Sequence, residues 1–304
     1  MKSNPTSEEK LWAVIAHISV ILSGTGLLMP AFAWMEQRTK SKYLAFQTLQ
    51  AFAYQSLGYT LWALVALFVL TILSFATFPL LKQGEGLNLW LASHALVTFG
   101  LYVVYLALPL IGVVASIAGR DFRYPILGRR LAGYIGYDPA ADDDASLDEA
   151  NEERVAASMA HFAVVYPLWG MFPALLFLLL PGEKSRYMKF HALQTIVFQA
   201  ISTLVTFALG GLAFVVLLGS MLPVVIALQS GKPLVTPPIE SMLGFFVFLL
   251  CLMVFLLIAP LYQIVGQWAG LMLLLGREYR YPLIGRWAER WLEKREVASA
   301  EKKL

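Results

Sequence analysis

The side chains able to do chemistry within this chain's apolar stretches are few, and they come in matched positions. His17 and His161 lie 144 residues apart in similar settings, EEKLWAVIAH and EERVAASMAH. Gln50 and Gln194 share that offset, as do Gln55 and Gln199, and His191 falls opposite Gln47. At membrane depth, imidazoles and carboxamides can bond a neighbouring helix, satisfy backbone groups freed at a helix break, or line a path for a polar solute. At 100° per residue, positions 47, 50 and 55 share one broad helical face. We expect His17, Gln50, Gln55, His161, His191, Gln194 and Gln199 to form a polar seam, with helix–helix bonding weighed above a solute path.

Other chemistry is poorly provided for. The histidines at 17, 94, 161 and 191, with one cysteine (Cys251) and no carboxylate inside the apolar runs, do not suggest a zinc or iron site. A single cysteine also precludes an intrachain disulfide. No Asp or Glu at membrane depth is available as a general base or proton relay. Phosphate-binding glycine loops and nucleophile elbows are missing too. The expectation is a non-enzyme with no cofactor, no metal, no catalytic residue and no nucleic-acid partner.

These side chains need elements to hold them, and the chain carries one such set twice. Residues 40–55 (KSKYLAFQTLQAFAYQ) and 184–199 (KSRYMKFHALQTIVFQ) agree at seven of sixteen positions. GRDFRYPILGR (119–129) and GREYRYPLIGR (276–286) agree at seven of eleven, at an offset of 157, so the second copy is 13 residues longer. We place the insertion in 219–241, where Pro223, Gly231, Pro233, Pro237 and Pro238 mark an irregular loop. Apolar residues are 59% and charged residues 14% of the 304. The apolar excess is blocked into runs, which implies an integral membrane protein. The runs are 11–35, about 46–78 and 87–118, then 155–181, about 190–218 and 241–275.

The second and third runs of each copy can span the bilayer as helices, and the first cannot do so unbroken. Ser23-Gly24-Thr25-Gly26 and Pro30 interrupt it in copy one; Pro167, Gly170 and Pro173 do so in copy two. Charge separates the alternatives. If each first run enters and returns, 21 Lys and Arg fall on one side and only Lys82 and Lys232 on the other; a single crossing gives 14 against 9. The expected class is therefore all-α: a polytopic helical membrane protein of two tandem units, each a broken or re-entrant helical pair plus two long transmembrane helices. Both units share one orientation. The termini face the cytoplasm, most simply across a bacterial cytoplasmic membrane, and no cleaved signal peptide is expected.

The units are bounded at 1–136 and 152–286, with an acidic linker at 137–151 and a basic amphipathic tail at 287–304. Carboxylates at 142, 144, 148 and 153 are spaced somewhat like a calcium loop, but Leu147 stands where such a loop needs Gly, so we read a solvated linker. Thr6 with Glu9, and Ser146 with Glu149, are candidate capping boxes. Trp287 and Trp291, among Arg286, Arg290, Lys294 and Arg295, suit a helix lying on an anionic inner leaflet. In G-R-x-x-R-Y-P, Gly119 or Gly276 can end a helix and Pro125 or Pro282 can stop its continuation. Arg120, Arg123, Arg277 and Arg280 are candidates for lipid phosphate or for docking.

The order W-A-x-x-A-H (12–17), P-x-x-x-W (30–34), K-S-K-Y-x-x-F-Q-x-x-Q-A-x-x-Y-Q (40–55) and G-R-x-x-R-Y-P (119–125) resembles the Tic20-like family, including its bacterial DUF4870 members. Copy two shares A-H (160–161), K-S-R-Y-x-x-F-H-A-L-Q (184–194), F-Q (198–199) and G-R-E-Y-R-Y-P (276–282). The tandem duplication departs from that family, as do Gln47 in place of His and Ala53 and Val197 in place of Asn. The resemblance implies a component of a protein-translocation or other membrane complex, with other membrane subunits or a transiting polypeptide as partners. A small-solute transporter or channel, with a polar seam between parallel repeats, is the alternative.

Overall fold

A computed structural model describes residues 4–82, 86–140, 147–180, 185–230 and 238–301. Its regular structure is entirely helical. Copy one comprises α1 (Ser7–Ile18), α2 (Leu28–Gln37), α3 (Lys42–Ala53), α4 (Tyr59–Thr77), α5 (Gly86–Ile117) and α6 (Leu127–Ile135). Copy two comprises α7 (Glu149–Phe162), α8 (Met171–Leu179), α9 (Arg186–Gln229), α10 (Ile239–Leu274) and α11 (Ile284–Glu301). Five stretches are long and apolar enough to cross a membrane: Ser7–Gln37, Lys42–Leu81, Gly86–Ile117, Arg186–Gln229 and Ile239–Leu274. The protein is an all-helical, multi-pass membrane protein.

The first of these stretches is not one rod. Between α1 and α2 the chain tightens into a 3₁₀ segment, Ser19–Leu27, and Ser23 leaves helical geometry at φ 51° and ψ −130°. The two arms then fold against each other, so the start of α1 meets the end of α2. Glu9, in the first turn of α1, accepts from the Ser41 hydroxyl at the head of α3. Copy two repeats this: Ser185 Oγ donates to Glu153 Oε2 at 2.5 Å, closing α7 and α8 into a second hairpin around a turn at Tyr166–Gly170. The arms are 12 and 10 residues in copy one and 14 and 9 in copy two. At 1.5 Å per residue that is about 14–21 Å, too short for a bilayer core of about 30 Å.

Local chemistry sets these boundaries. Thr6 and Glu9 form the expected capping box on α1. Ser41 and Ser185 each accept from the amide three residues on, capping α3 and α9. Helix α7 is capped by Asp148, which accepts from Asn151 N–H at 3.0 Å, while Ser146 of the expected box lies outside the described residues. Asp148 is thus used as a cap and Glu153 as a hairpin clasp, and the rest of the calcium-like spacing, 142–146, also lies outside the described residues. At the far ends of α5 and α10, Gly119 (φ 67°) and Gly276 (φ 76°) turn the chain left-handed. The next amides, Arg120 and Arg277, reach back to Ala115 and Met272 at 2.9 Å, satisfying last-turn carbonyls as the arginine motif predicts.

Two features depart from the sequence reading. Helix α9 continues through Pro223 to Gln229 and α10 starts at Ile239, so the expected loop at 219–241 is helical at both ends, while 231–237 lie outside the described residues. Proline removes one backbone donor, but the apolar surroundings reward every remaining ladder bond, and the helix runs on. Helix α6 was not foreseen. Leu131, Ala132 and Ile135 turn inward from it at helical spacing, while Arg129 and Arg130 face out.

The hairpins and the first turns of the long helices share one core. Leu27, Trp34, Phe46, Leu49 and Phe52 of copy one pack with Met159, Phe162, Phe177 and Leu273 of copy two. The rings of Trp34 and Phe177 meet edge to face at 5.8 Å. Both hairpins therefore open toward the same end of the molecule, as parallel repeats require. Beyond the hairpin tips the long helices continue as two pairs, α4 with α5 and α9 with α10, whose large side chains are mostly exposed.

Candidate functional site: two polar corners and the junction between them

The polar residues picked out in the sequence assemble into two separate knots, one per copy, each where three elements meet. In copy one, His17 on α1 bonds the Tyr124 hydroxyl through Nδ1 (2.9 Å) and Gln47 Oε1 through Nε2 (3.1 Å). Since a carboxamide oxygen only accepts, Nε2 carries the proton and Nδ1 accepts from Tyr124. Gln47 Nε2 donates to Asp121 Oδ1 (3.1 Å) and Phe122 O (3.0 Å). Gln50 Nε2 donates to Gln47 Oε1 (2.6 Å) and Phe122 O (2.8 Å), and Gln50 Oε1 accepts from Tyr124 N–H (3.3 Å). The G-R-x-x-R-Y-P loop is thus tied by its own backbone to α3, with His17 as the third post.

Copy two uses the same plan with different parts. His161 Nδ1 bonds Tyr281 OH at 2.9 Å, and Gln194 Oε1 accepts from Tyr281 N–H at 3.0 Å. Thr195 Oγ1 stands 3.1 Å from His161 Nδ1. His191 replaces Gln47 and reaches Glu278 only at 3.7 Å; neither of its ring nitrogens, nor Gln194 Nε2, has a hydrogen-bond partner among the described residues. Where the polar atoms of His17, Gln47 and Gln50 are all bonded, the copy-two knot is open to a further polar group at His191 and Gln194.

Gln55 and Gln199 serve the hairpin breaks. Each donates to a carbonyl at the end of the first arm, Gln55 to Ala16 O (3.0 Å) and Gln199 to Ala160 O (2.9 Å). That supplies the partner which an interrupted helix in a membrane requires. Close approach explains the glycines alongside: a Cβ on Gly26 or Gly170 would run into the Ser19 or Ala163 carbonyl oxygen at 2.0 or 1.9 Å, with the carboxamide oxygen of Gln55 or Gln199 at 3.2 or 2.7 Å, and one on Gly128 or Gly285 would lie 2.8 or 2.9 Å from that of Gln50 or Gln194. Four glutamines are seated on four glycines, and that pairing was readable in the repeat alignment had the glycines been aligned with the glutamines.

The arginines divide in two. Arg123 pairs with Asp121 at 3.1 Å and lies 5.8 Å from the Phe46 ring, and Arg280 pairs with Glu289 at 3.0 Å. Arg120 and Arg277 are exposed. Between the knots, Trp34 Nε1 donates to Glu152 Oε2 (3.2 Å) and Arg38 bonds Glu153 Oε1 (3.2 Å), with the guanidinium 4.6 Å from the Trp34 ring. Burial pushes the Glu152 carboxyl up to about 7, against the opposing pull of the Trp34 bond and of Arg38. Tyr166 OH also crosses the junction, to Gln55 O at 3.3 Å. Sequence reasoning missed these contacts because Trp34 and Arg38 have no counterpart in copy two, where Leu178 and Gly182 stand.

Among the described residues, no group of three His, Cys, Asp or Glu is placed to hold a metal ion. Comparison with protein-family models decides the family: residues 8–131, and again 152–288, match the MamF/MmsF family, described as magnetosome magnetite crystal formation proteins. The chain belongs to the MamF/MmsF family. It carries the family's unit twice, and the two matched segments coincide with the internal repeat. This corrects the resemblance to Tic20-like and DUF4870 proteins. The motifs that suggested it are short, and all of them lie inside the segments that match MamF/MmsF; the translocon partners it implied lose their basis with it. No curated protein and no solved structure matches the chain.

Proposed function

We propose that this protein is a non-enzymatic component of the magnetosome membrane that supports magnetite crystal formation as a scaffold, with its termini and both arginine loops on the cytoplasmic side. Membership of the MamF/MmsF family across both repeats carries the reading. The scaffold form of it draws on the polar knots. A conduit needs polar groups turned toward a shared cavity, whereas His17, Gln50, His161 and Gln194 bond the loops of their own copies. The cytoplasmic assignment draws on the 21-to-2 division of Lys and Arg. In this placement Arg120 and Arg277 face anionic headgroups, and α11 lies along the same surface with Arg295 over Trp291 at 4.0 Å.

The role is tested by expressing a fluorescent fusion in a magnetite-forming bacterium whose own genes of this family are deleted. Fluorescence should follow the crystals, and crystal size should recover by electron microscopy. Uniform fluorescence over the cytoplasmic membrane with uncorrected crystals would refute the role. Topology is tested separately by labelling single cysteines, with Cys251 replaced by Ser. Lys40→Cys should react from the cytoplasmic side and Lys82→Cys from the other; reaction of both from one side refutes the arrangement.

A further inference from the structure

We infer that the protein is a wedge across the bilayer, which partitions to membrane that is convex on the side carrying its termini. Along the hairpin arms, up to the bonds of Gln55 to Ala16 and of Gln199 to Ala160 near the tips, eight helical segments lie side by side: α1, α2, α3, α5, α7, α8, α9 and α10. Past the hairpin tips only α4, α5, α9 and α10 remain, as two pairs. Four helices of about 10–12 Å diameter amount to roughly 400 Å² of extra cross-section at the wide end.

Burial marks the same step. Trp34, Phe46, Phe52 and Phe177 are wholly enclosed at the wide end, whereas beyond the tips Phe68 and Phe75 are 67% and 79% exposed. The wide end is itself lipid-facing at its rim, since Leu110, Val114, Ile117 and Leu179 point outward there. The narrow pairs reach almost a bilayer's depth on their own: α4 alone has 19 residues, about 28 Å. That places the hairpins in the leaflet and interface on the side of the termini. Area added to one leaflet only is relieved when that leaflet is stretched on the outside of a bend.

The partner is thus a lipid surface of defined curvature. The inference needs the hairpins and the shared orientation of the repeats, and it does not need the magnetosome role. Its test is the full-length protein with a C-terminal fluorophore, reconstituted in giant vesicles of phosphatidylcholine and phosphatidylglycerol from which narrow tubes are drawn. Externally added quencher separates molecules with termini outward from those with termini in the lumen. The outward population should be enriched in the tube over the parent vesicle, increasingly as the tube narrows, and the inward population should be depleted. Equal densities, or enrichment irrespective of orientation, would overturn the wedge while leaving the crystal-formation experiment untouched.

Discussion

Replacing Glu152 by Gln separates electrostatics from shape at the junction of the two repeats. Glu152 is almost fully enclosed and takes a hydrogen bond from the Trp34 indole, with Arg38, Glu149 and Glu153 as its charged neighbours. Burial moves its carboxyl from an ordinary 4.5 to about 7. Between those values the native protein holds a proton that the unfolded chain releases, so stability falls as pH rises through the window and levels off above it. The interval corresponds to about 3 kcal/mol at roughly 1.4 kcal/mol per tenfold. Arg38 and the indole favour the charged form, so this is the size of the whole balance and not of burial alone. Glutamine keeps the shape and an acceptor for the indole but cannot ionise. Denaturant unfolding in detergent micelles at pH 5 and pH 8 measures the difference. The wild type should lose most of that, about 2.5 kcal/mol, between the two, the Glu152→Gln variant little of it, and the two proteins should converge on the acid side. Parallel losses in both would refute the assignment of the titration to Glu152.

Other expected outcomes follow the same geometry. Arg38→Met leaves Glu153 enclosed without its guanidinium and should cost about 3 kcal/mol of unfolding free energy, by the same assay. Gln55→Leu and Gln199→Leu each strip a hairpin-break carbonyl of its donor; each should cost about 1–3 kcal/mol. The Gln55 change should cost more, because Gln55 also bonds Ser19 Oγ at 3.0 Å. Ile126 (φ 64°) and Leu283 (φ 66°) hold matching left-handed positions just after the two prolines, where a bulky side chain is strained. Glycine at either should raise stability by about 1 kcal/mol, and a fall of that size would show that the exposed side chain contributes more than the strain removes.

Much of this architecture was legible because the chain is duplicated. Two breaks in matching places, and basic residues gathered at matching ends, specified hairpins and parallel repeats without any contact being known. The glutamines were legible as structural polar groups, though not their partners. Their acceptors are backbone carbonyls such as Phe122 O and Ala16 O, which have no sequence signature, and the expected single seam resolves into two knots for that reason. Tyr124 and Tyr281 were visible only as part of an arginine–proline motif, and their bonds to His17 and His161 need the loop to fold back, which spacing does not reveal. The junction was illegible for the opposite reason: Trp34, Arg38 and Glu152 act between copies, so the comparison of one copy with the other hides them.

That junction also limits how far the pattern can grow. Copy one offers an indole and a guanidinium, and copy two offers a pair of glutamates, so the two halves meet through unlike faces. Contacts of that kind propagate without end unless something interrupts them. Here the interruption is in the side chains: Leu178 and Gly182 stand at the sequence positions equivalent to Trp34 and Arg38. A third unit would meet neither donor on copy two. In this sense the second member lacks the donors by which the first makes its head-to-tail contact, so the contact does not repeat from it.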